Sequence, residues 1–413
     1  MTAEPTTTVS QSTGETTAAE TGSNSLSTTA SETTGGSSSE DEGGEGHFDL
    51  GIIPDTPEVM CGGKGGGGGG GVELSYIWIA NTQQNTISKI DTLTMVEEGR
   101  YQAKAANGDP SRTSVNLEGD VAVANRNGGV AKFWANPADC IESNGTGGIQ
   151  TSSGAGDVLP WDEEECRAWN HEMACSSNRP VAWTRGEWNE ATCGYINSKL
   201  WTVCDNEVLL LDGETGETEQ TVVVPGGNAF VYGGAADADG NFWGLNTGSS
   251  AIFRVDGEDF TTLSFPLSGA AGYGITVDPM GRPWTSGGGM VSRFDIETST
   301  WASSAGGGGG IGGCMTDGES TIWHDSGSGT LLGYDLESLE LVHSIPLPAY
   351  VHGVSVDFQG RVWGVSFAGS AAYRADPVTG EVETFNGLVG AYTYSDMTGF
   401  ALNTAGGGGV PPT

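Results

Sequence analysis

The chain of 413 residues carries 53 acidic and 16 basic side chains, a formal net charge of −37, and this charge disfavours binding to nucleic acid or to an anionic membrane surface. Its 69 glycines and 12 tryptophans favour short strands joined by glycine turns over helices. No apolar run of about 18 residues occurs, so no transmembrane helix is predicted.

Residues 1–46 are rich in Thr, Ser, Glu and Gly and contain no aromatic residue, Lys or Arg. Such a segment buries too little apolar surface to offset its ordering entropy, so we predict an acidic, disordered tail that serves as a stalk. Residues 47–71 form a linker with Cys61 and a poly-glycine hinge. The first residues lack the basic and apolar regions of a signal peptide.

A repeat with a period near forty residues begins after the linker. Five tryptophans mark it at intervals of 39 to 42 residues: Trp201, Trp243, Trp284, Trp323 and Trp363. Asp-x-x-Gly-x-x-Trp precedes several of them, as in Asp237 to Trp243, and a glycine at this place closes a β-hairpin. A second aspartate follows each Trp by 11 to 13 residues and begins another turn. Each repeat is therefore interpreted as four strands, the blade of a β-propeller.

Two further repeats, around Trp78 and Ala122, bring the total to seven. We predict an all-β, seven-bladed propeller of four-stranded blades over residues 72–403, followed by a Gly/Pro-rich tail at 404–413. Six or eight blades remain alternatives, because an insert could hide a repeat. The first repeat lacks its leading strand, and residues 391–400 resemble one. This C-terminal strand is predicted to close blade one and remove the open edges of the sheet.

An insert of about 138–189 interrupts the second repeat and holds part of a cysteine cluster. The disulfide candidates are Cys140, Cys166, Cys175, Cys193 and Cys204. They lack the paired spacing of a zinc site, so disulfides in an oxidising compartment are the better interpretation. Seven cysteines in all leave at least one free or bonded elsewhere. The pairing is not readable from the sequence.

The leading strands of a propeller line its central channel, and equivalent positions on them give the candidate ligand-binding residues. These residues are Arg112, Tyr232, Tyr273, His352, Tyr394 and Asp396. Together they suit a polar ligand through stacking and hydrogen bonding; equally, the tyrosines could simply plug the channel. Secondary candidates are Asn81, Asn125 and Asn246, three residues after the Trp position, where an amide more often caps a loop.

The blade from Tyr350 to Gly380, with its Asp357-x-x-Gly-x-x-Trp363 motif and His352-Gly353 pair, resembles the virginiamycin B lyase-like and NHL-type propellers. In those lyases, a His-Gly pair and a Glu after the blade Trp build a metal-assisted elimination site. Here the Glu is replaced by Asn, Cys, Gly or Ser, which argues against an enzyme. The tail and the cysteine-bearing propeller also look like secreted bacterial lipoproteins.

The leading hypothesis is a non-catalytic propeller that binds a small ligand or a surface protein. It would be secreted, periplasmic or anchored at the outer surface, and monomeric. No cofactor is predicted; a divalent cation, Ca²⁺ or Mg²⁺, is the one ion considered. The alternative is a metal-dependent lyase or lactone hydrolase that uses the same funnel.

Overall fold

The computed structural model describes residues 75–192, 194–305 and 310–405. The predicted tail 1–46, the linker 47–71, Cys61, Cys193 and all but the first two residues of the predicted C-terminal tail lie outside these ranges. Two compact units are separable, Met1–Pro57 and Glu58–Thr413, and all described residues belong to the second. In them no helix is long and apolar enough to cross a membrane.

The described part of the chain is almost entirely β-strand. The strands of its first half are β1 Tyr76–Asn81, β2 Thr86–Asp91, β3 Glu97–Gln102, β4 Pro110–Val115, β5 Val121–Asn125, β6 Val130–Phe133, β7 Arg167–His171, β8 Asn178–Trp183, β9 Glu187–Asn189, β10 Gly194–Ile196, β11 Lys199–Cys204, β12 Glu207–Asp212 and β13 Thr218–Val223. Three single 3₁₀ turns lie at Thr82–Gln84, Pro137–Asp139 and Trp161–Glu163.

The second half repeats a four-strand unit. Its strands are β14 Val231–Ala236, β15 Phe242–Asn246, β16 Ala251–Val255, β17 Thr262–Pro266, β18 Gly274–Val277, β19 Pro283–Gly287, β20 Met290–Asp295, β21 Thr300–Ser303, β22 Cys314–Thr316, β23 Thr321–Asp325, β24 Thr330–Asp335, β25 Leu341–Pro346, β26 Val351–Val356, β27 Val362–Ser366, β28 Gly369–Ala375 and β29 Val382–Ala391. One short helix, α1 Phe400–Ala405, ends the described chain.

The strands pair as antiparallel four-stranded sheets in sequence order. These sheets are β4 to β7, β8 with β11 to β13, β14 to β17, β18 to β21 and β22 to β25. A seven-stranded sheet joins β26 to β29 with β1 to β3 through the single pair Asn81 and Ala391. Strands β9 and β10 form a separate hairpin. The first strands of successive sheets contact one another: β1 with β4, β4 with β8, β8 with β14, β14 with β18, β18 with β22 and β22 with β26.

The repeated motif explains why each sheet forms at its place. The side chain of Asp357 accepts hydrogen bonds from the amides of Gln359 (3.0 Å) and Arg361 (2.9 Å), which fixes the turn before the second strand. Its other oxygen accepts the indole N–H of Trp363 at 2.7 Å. The indole is fully buried, so this bond satisfies a donor that water cannot reach. The aspartates before Trp243 and Trp284 do the same.

The tryptophans at the repeat positions form the core between neighbouring sheets. Trp78, Trp201, Trp243, Trp284, Trp323 and Trp363 are all at most 1% exposed. Trp201, for example, donates to the carbonyl of Gly240 in the next sheet at 2.9 Å and packs on Phe242 with ring centroids 5.9 Å apart. Aromatic burial of this kind supplies much of the stability of a β-sheet assembly.

The predicted insert, 138–189, is not one uninterrupted loop. Strand β7 is the outer strand of one four-stranded sheet and β8 is the first strand of the next, and β9 of the separate hairpin also lies inside that range. The loop before β7 is closed by the disulfide Cys140–Cys166, and Cys175–Cys204 ties the β7–β8 connection to the end of β11. Disulfides were predicted, and both pairs come from the candidate set. Among the described cysteines Cys314 is free and buried.

The C-terminal segment 392–398 runs beside β1 without forming a regular strand. The amide of Tyr392 donates to Ala80 O at 3.1 Å, and the amide of Trp78 donates to Met397 O at 2.9 Å. On its other side, the amide of Val115 in β4 donates to Asp396 O at 3.2 Å. The segment therefore lies between β1 and β4.

Candidate functional site

The first strands of several sheets carry a β-bulge at their second residue. The pairing register shifts around Ser111 in β4, Tyr232 in β14 and His352 in β26. A bulge turns the side chain of the extra residue away from the regular alternation. Arg179, the second residue of β8, lies at a similar shift opposite β11. These bulges bring side chains from separate sheets together.

Four tyrosines and a histidine meet at this place, and we call Tyr232, Tyr273, Tyr392, Tyr394 and His352 the tyrosine cluster. The hydroxyls of Tyr232, Tyr273 and Tyr392 form a triangle with oxygen separations of 2.7 to 2.8 Å. The ring of Tyr394 stacks on Tyr273 with centroids 5.1 Å apart. Residues far apart in the sequence therefore form one hydrogen-bonded aromatic surface.

His352 sits inside this cluster with both ring nitrogens occupied. Its Nε2 lies 2.6 Å from the Tyr273 hydroxyl and its Nδ1 lies 2.8 Å from the Tyr350 hydroxyl. Because the Tyr350 hydroxyl donates its proton to the carbonyl of Ile311, it accepts from Nδ1–H, and Nε2 accepts from Tyr273. Burial, followed by the charges of Arg112 and Arg126, lowers the pKa of His352 to about 3, so the ring is neutral at physiological pH.

Three guanidinium groups surround the cluster. Arg112 lies 3.2 Å from the ring centroid of Tyr394, Arg126 lies 4.4 Å from that of Tyr392, and Arg179 lies 4.8 Å from that of Tyr232. Arg112 also donates to the carbonyls of Ser111 and Tyr232, each at 2.9 Å. Cations over aromatic faces are attracted by the ring quadrupole, most strongly where water is excluded.

Burial, neighbouring hydroxyls and arginines change the acidity of the phenols unequally. Burial raises the pKa of Tyr273, and its hydrogen bonds to Tyr232 and Tyr392 raise it further. Burial also favours the neutral form of Tyr392, but Arg112, the neighbouring hydroxyls and Arg126 outweigh it and lower the pKa of that phenol.

The structure brings five of the six predicted funnel residues together and places the sixth elsewhere. Asp396 accepts hydrogen bonds from the amides of Gly399 and Leu402, both at 2.9 Å, and so fixes the start of α1. It lines a cavity of about 30 Å³ near α1, together with Ser114 and Thr276, which is room for a water molecule.

The three secondary candidates bind backbone groups outside the tyrosine cluster. Asn81 accepts the amide of Val389 at 2.8 Å, and Asn246 accepts the amide of Phe230 at 3.0 Å. Asn125 donates to the carbonyl of Ala103 at 3.0 Å. All three are fully buried. The contacts of Asn125 and Asn246 are those of loop caps, whereas Asn81 binds a residue of strand β29.

Sequence reasoning missed Tyr392, Arg126 and Arg179. Tyr392 precedes Tyr394 by two residues, and side chains two residues apart on an extended segment point to the same side. This spacing could have predicted that Tyr392 lies with Tyr394. Arg179 occupies in β8 the same second position that Tyr232 and His352 hold in their strands. That equivalence was hidden because β8 lay within the presumed insert.

A divalent cation does not fit the surroundings of His352. Across residues 75–192, 194–305 and 310–405, no group of three or more His, Cys, Asp and Glu side chains is arranged to hold a metal ion. Both nitrogens of His352 are engaged by tyrosines, and the nearby Arg112 and Arg126 oppose a second positive charge.

Comparison with known proteins identifies the fold. The chain aligns with a streptogramin B lyase structure at 16% identity and TM-score 0.53, covering 73% of this chain and 90% of that one. It aligns with the β-propeller domain of Myceliophteria thermophila Cps50 (Swd1) at 13% identity and TM-score 0.51, covering 70% and 90%. The fold is a virginiamycin B lyase-like β-propeller. No family model matches the sequence, and neither does any curated protein.

Proposed function

We propose that this chain is a non-catalytic, ligand-binding β-propeller, secreted, periplasmic or held at the outer surface by its N-terminal stalk. The tyrosine cluster is its binding site, and a small ligand or a surface protein is its partner. The two disulfides, Cys140–Cys166 and Cys175–Cys204, support an oxidising compartment.

We further infer seven blades, with the C-terminal segment completing the first. Five four-stranded sheets, the set β26 to β29 and the set β1 to β3 supply seven units. The set β1 to β3 has one strand fewer than the others, and segment 392–398 lies along β1 where that strand is missing. A closed ring leaves no open sheet edge on its axis.

The observation that carries the binding function is the partly exposed surface of the tyrosine cluster. Tyr232, Tyr273 and Tyr392 are only partly buried, and two exposed phenylalanines flank them. Phe230 packs on Tyr232 with centroids 5.9 Å apart, and Phe367 packs on His352 at 4.8 Å. An aromatic surface with a few converging polar groups is the usual composition of a small-molecule site.

A screen of small molecules by ligand-observed NMR tests this function. We expect at least one ligand whose binding weakens in Tyr392→Phe, which removes one hydroxyl of the triangle and keeps the ring. Tyr195→Phe, in the β9–β10 hairpin, is the matched control and should bind as the unaltered chain does. If every ligand found is indifferent to Tyr392→Phe, the cluster is a plug and the proposal is wrong.

The alternative function is a lyase or lactone hydrolase, favoured by the position of His352 next to Gly353 on β26 and by the fold shared with streptogramin B lyase. Incubation with a streptogramin B antibiotic separates the two. A binding protein leaves the macrocycle intact, as followed by mass spectrometry. Opening of the ring that disappears in His352→Ala would establish the alternative and overturn the binding-only function.

A further inference from the structure

Positive side chains in the described part of this acidic chain are mostly neutralised by carboxylates. The ones with no carboxylate of a described residue within 4.0 Å are Arg112, Arg167, Arg179 and Arg185. Two of these four, Arg112 and Arg179, lie on the tyrosine cluster. In a molecule with an excess of 37 negative charges, cations kept free of carboxylates at one place are available for another anion.

Arg126, the residue after β5, joins these two because a backbone hydrogen bond holds it beside β8. The amide of Asn178 donates to the carbonyl of Arg126 at 3.3 Å, so Arg126 and Arg179 extend from adjacent segments onto the faces of Tyr392 and Tyr232. Arg126 pairs with Asp109 through Nη1 at 2.6 Å. That pairing neutralises part of its charge, and Arg179 is therefore the stronger anion ligand of the two.

Several guanidinium donors of this set have no acceptor among the described residues. Nε and Nη1 of Arg179, Nε of Arg126 and Nε of Arg112 are buried and unbonded. An unsatisfied buried donor of a charged group costs stability that a bound acceptor recovers. Arg112, 1% exposed, contacts the rings of Tyr232 and Tyr394 and adds positive potential to the cluster.

The tyrosine cluster itself offers no spare proton to such an acceptor. Tyr273 donates to His352, so the hydroxyl protons of Tyr232 and Tyr392 fill two of the three oxygen–oxygen contacts of the triangle, and none is left over. A ligand that needs hydrogen-bond donors must therefore take them from the arginines. Guanidinium groups donate to carboxylates in a planar fork, which makes a carboxylate the matching ligand group.

The rest of the surface favours a ligand with an aromatic body. Phe230 and Phe367 are 43% and 47% exposed, and they flank the cluster on the Arg179 side and the His352 side. Exposed aromatic rings next to a polar site stack flat apolar groups. A ligand that combines an aromatic ring with a carboxylate satisfies both the rings and the arginines.

We propose that the tyrosine cluster binds small aromatic carboxylates, with the carboxylate on Arg179 and Arg126 and the ring against Phe230 or Phe367. This inference rests on the proposed function and specifies its ligand class. It predicts that binding requires the negative charge of the ligand, and that Arg179 is the main residue that binds the carboxylate.

Isothermal titration with phenylacetate and its uncharged isostere phenylacetamide tests the proposal on the whole chain. We expect phenylacetate to bind and phenylacetamide to bind about tenfold more weakly or worse, the usual loss for a charged hydrogen bond. Acetate, which lacks the ring, should also bind more weakly. Raising the salt concentration should weaken phenylacetate binding, because charge–charge attraction is screened.

Two variants test whether Arg179 is the residue that binds the carboxylate of phenylacetate. Arg179→Gln should weaken phenylacetate binding about tenfold or more and leave phenylacetamide unchanged. Arg167→Gln removes another arginine that lacks a carboxylate and lies on an aromatic ring, that of Trp161, on the outer strand β7; it should bind phenylacetate normally. Circular dichroism and the melting temperature confirm that both variants are folded.

Equal binding of acid and amide, no binding of either, or equal losses in the two variants would each overturn the anion proposal. None of these results decides the binding function itself. The binding function is tested by the small-molecule screen with Tyr392→Phe. A neutral or cationic ligand found in that screen would support the binding function and contradict the carboxylate proposal.

Discussion

At the scale of single residues, the aspartate before three of the Trp strands has two separate tasks. Asp357 holds the turn with one oxygen and the Trp363 indole with the other. Asp317 holds its turn through three amides, but the indole N–H of Trp323 has no partner among the described residues. Comparing variants of Asp357 and Asp317 therefore separates the stabilisation by the indole hydrogen bond from the stabilisation by the turn.

We expect Asp357→Ala to lower the free energy of unfolding by about 2–3 kcal/mol, because it leaves a buried indole donor unsatisfied in addition to the turn amides. Asp317→Ala loses turn bonds alone and should cost about 1 kcal/mol. Urea denaturation of both variants measures the difference. Equal losses would show that the indole bond contributes nothing.

A second expectation at this scale concerns pH and His352. Its folded-state pKa is about 3, and an unfolded histidine titrates near ~6.5. Between these values the unfolded chain binds a proton that the folded chain does not. This histidine therefore lowers the free energy of unfolding by about 1.4 kcal/mol for each pH unit below ~6.5.

His352→Gln removes that proton uptake and keeps a polar side chain in the cluster. The stability advantage of the unaltered chain over this variant should shrink by about 2 kcal/mol between about pH 6.5 and about pH 5. Urea titrations at the two pH values test it. Parallel losses of stability in both proteins would show that His352 is not the titrating group.

At the scale of elements, β26 and segment 392–398 lie so close together that there is no room for a side chain at Gly353. A Cβ atom at Gly353 in β26 would collide with the carbonyl oxygen of Thr393, and backbone cannot move aside as a flexible side chain can. This explains the glycine after His352, since the bulge that presents the histidine also brings β26 against segment 392–398.

Gly353→Ala should lower the free energy of unfolding by about 2 kcal/mol through overpacking, and should speed amide hydrogen exchange in 392–398. Gly156→Ala is the matched control, because a Cβ there meets open space. Hydrogen exchange with mass spectrometry reports the local effect. Unchanged exchange in Gly353→Ala would mean that the segment is not packed against β26.

Strands that are marked by a local sequence motif were predictable, and strands β7 and β8, which lack such a motif, were not. The strand after Asp278 was readable because Asp, Gly and Trp mark the turn and the core position within seven residues. Strands β7 and β8 carry no such mark and lie among cysteines and loop residues. Arg179 was missed with β8. Asp396 was predicted beside Tyr394, but its side chain accepts amides at the start of α1 and does not join the tyrosine cluster.

At the scale of the whole molecule, the arrangement depends on contacts between the two ends of the described chain. Segment 392–398 lies between β1 and β4, more than 270 residues from either in the sequence. Contacts of such long range form late and at a high entropic cost. Periodicity could predict that they exist, but the irregular path of the segment depends on packing that no local pattern encodes.

Removal of residues 392–413 should expose the edges of β1 and β4 and cause association of the chain. A chain ending at Ala405 keeps every described contact of the segment and is the matched control. Size-exclusion chromatography and calorimetry should show a monomer with one cooperative transition for the control, and aggregates or a broad transition for the shorter chain. Identical behaviour of the two would refute closure by this segment.

The buried thiol of Cys314 makes the first strand of its sheet a natural probe of opening. It lies on β22, 3% exposed, and burial raises its pKa to about 12. A thiol in this state does not react with alkylating reagents, so modification at this site, followed by peptide mass spectrometry, proceeds only when β22 separates from its neighbours. The rate of this modification would report how often β22 opens, without any added label.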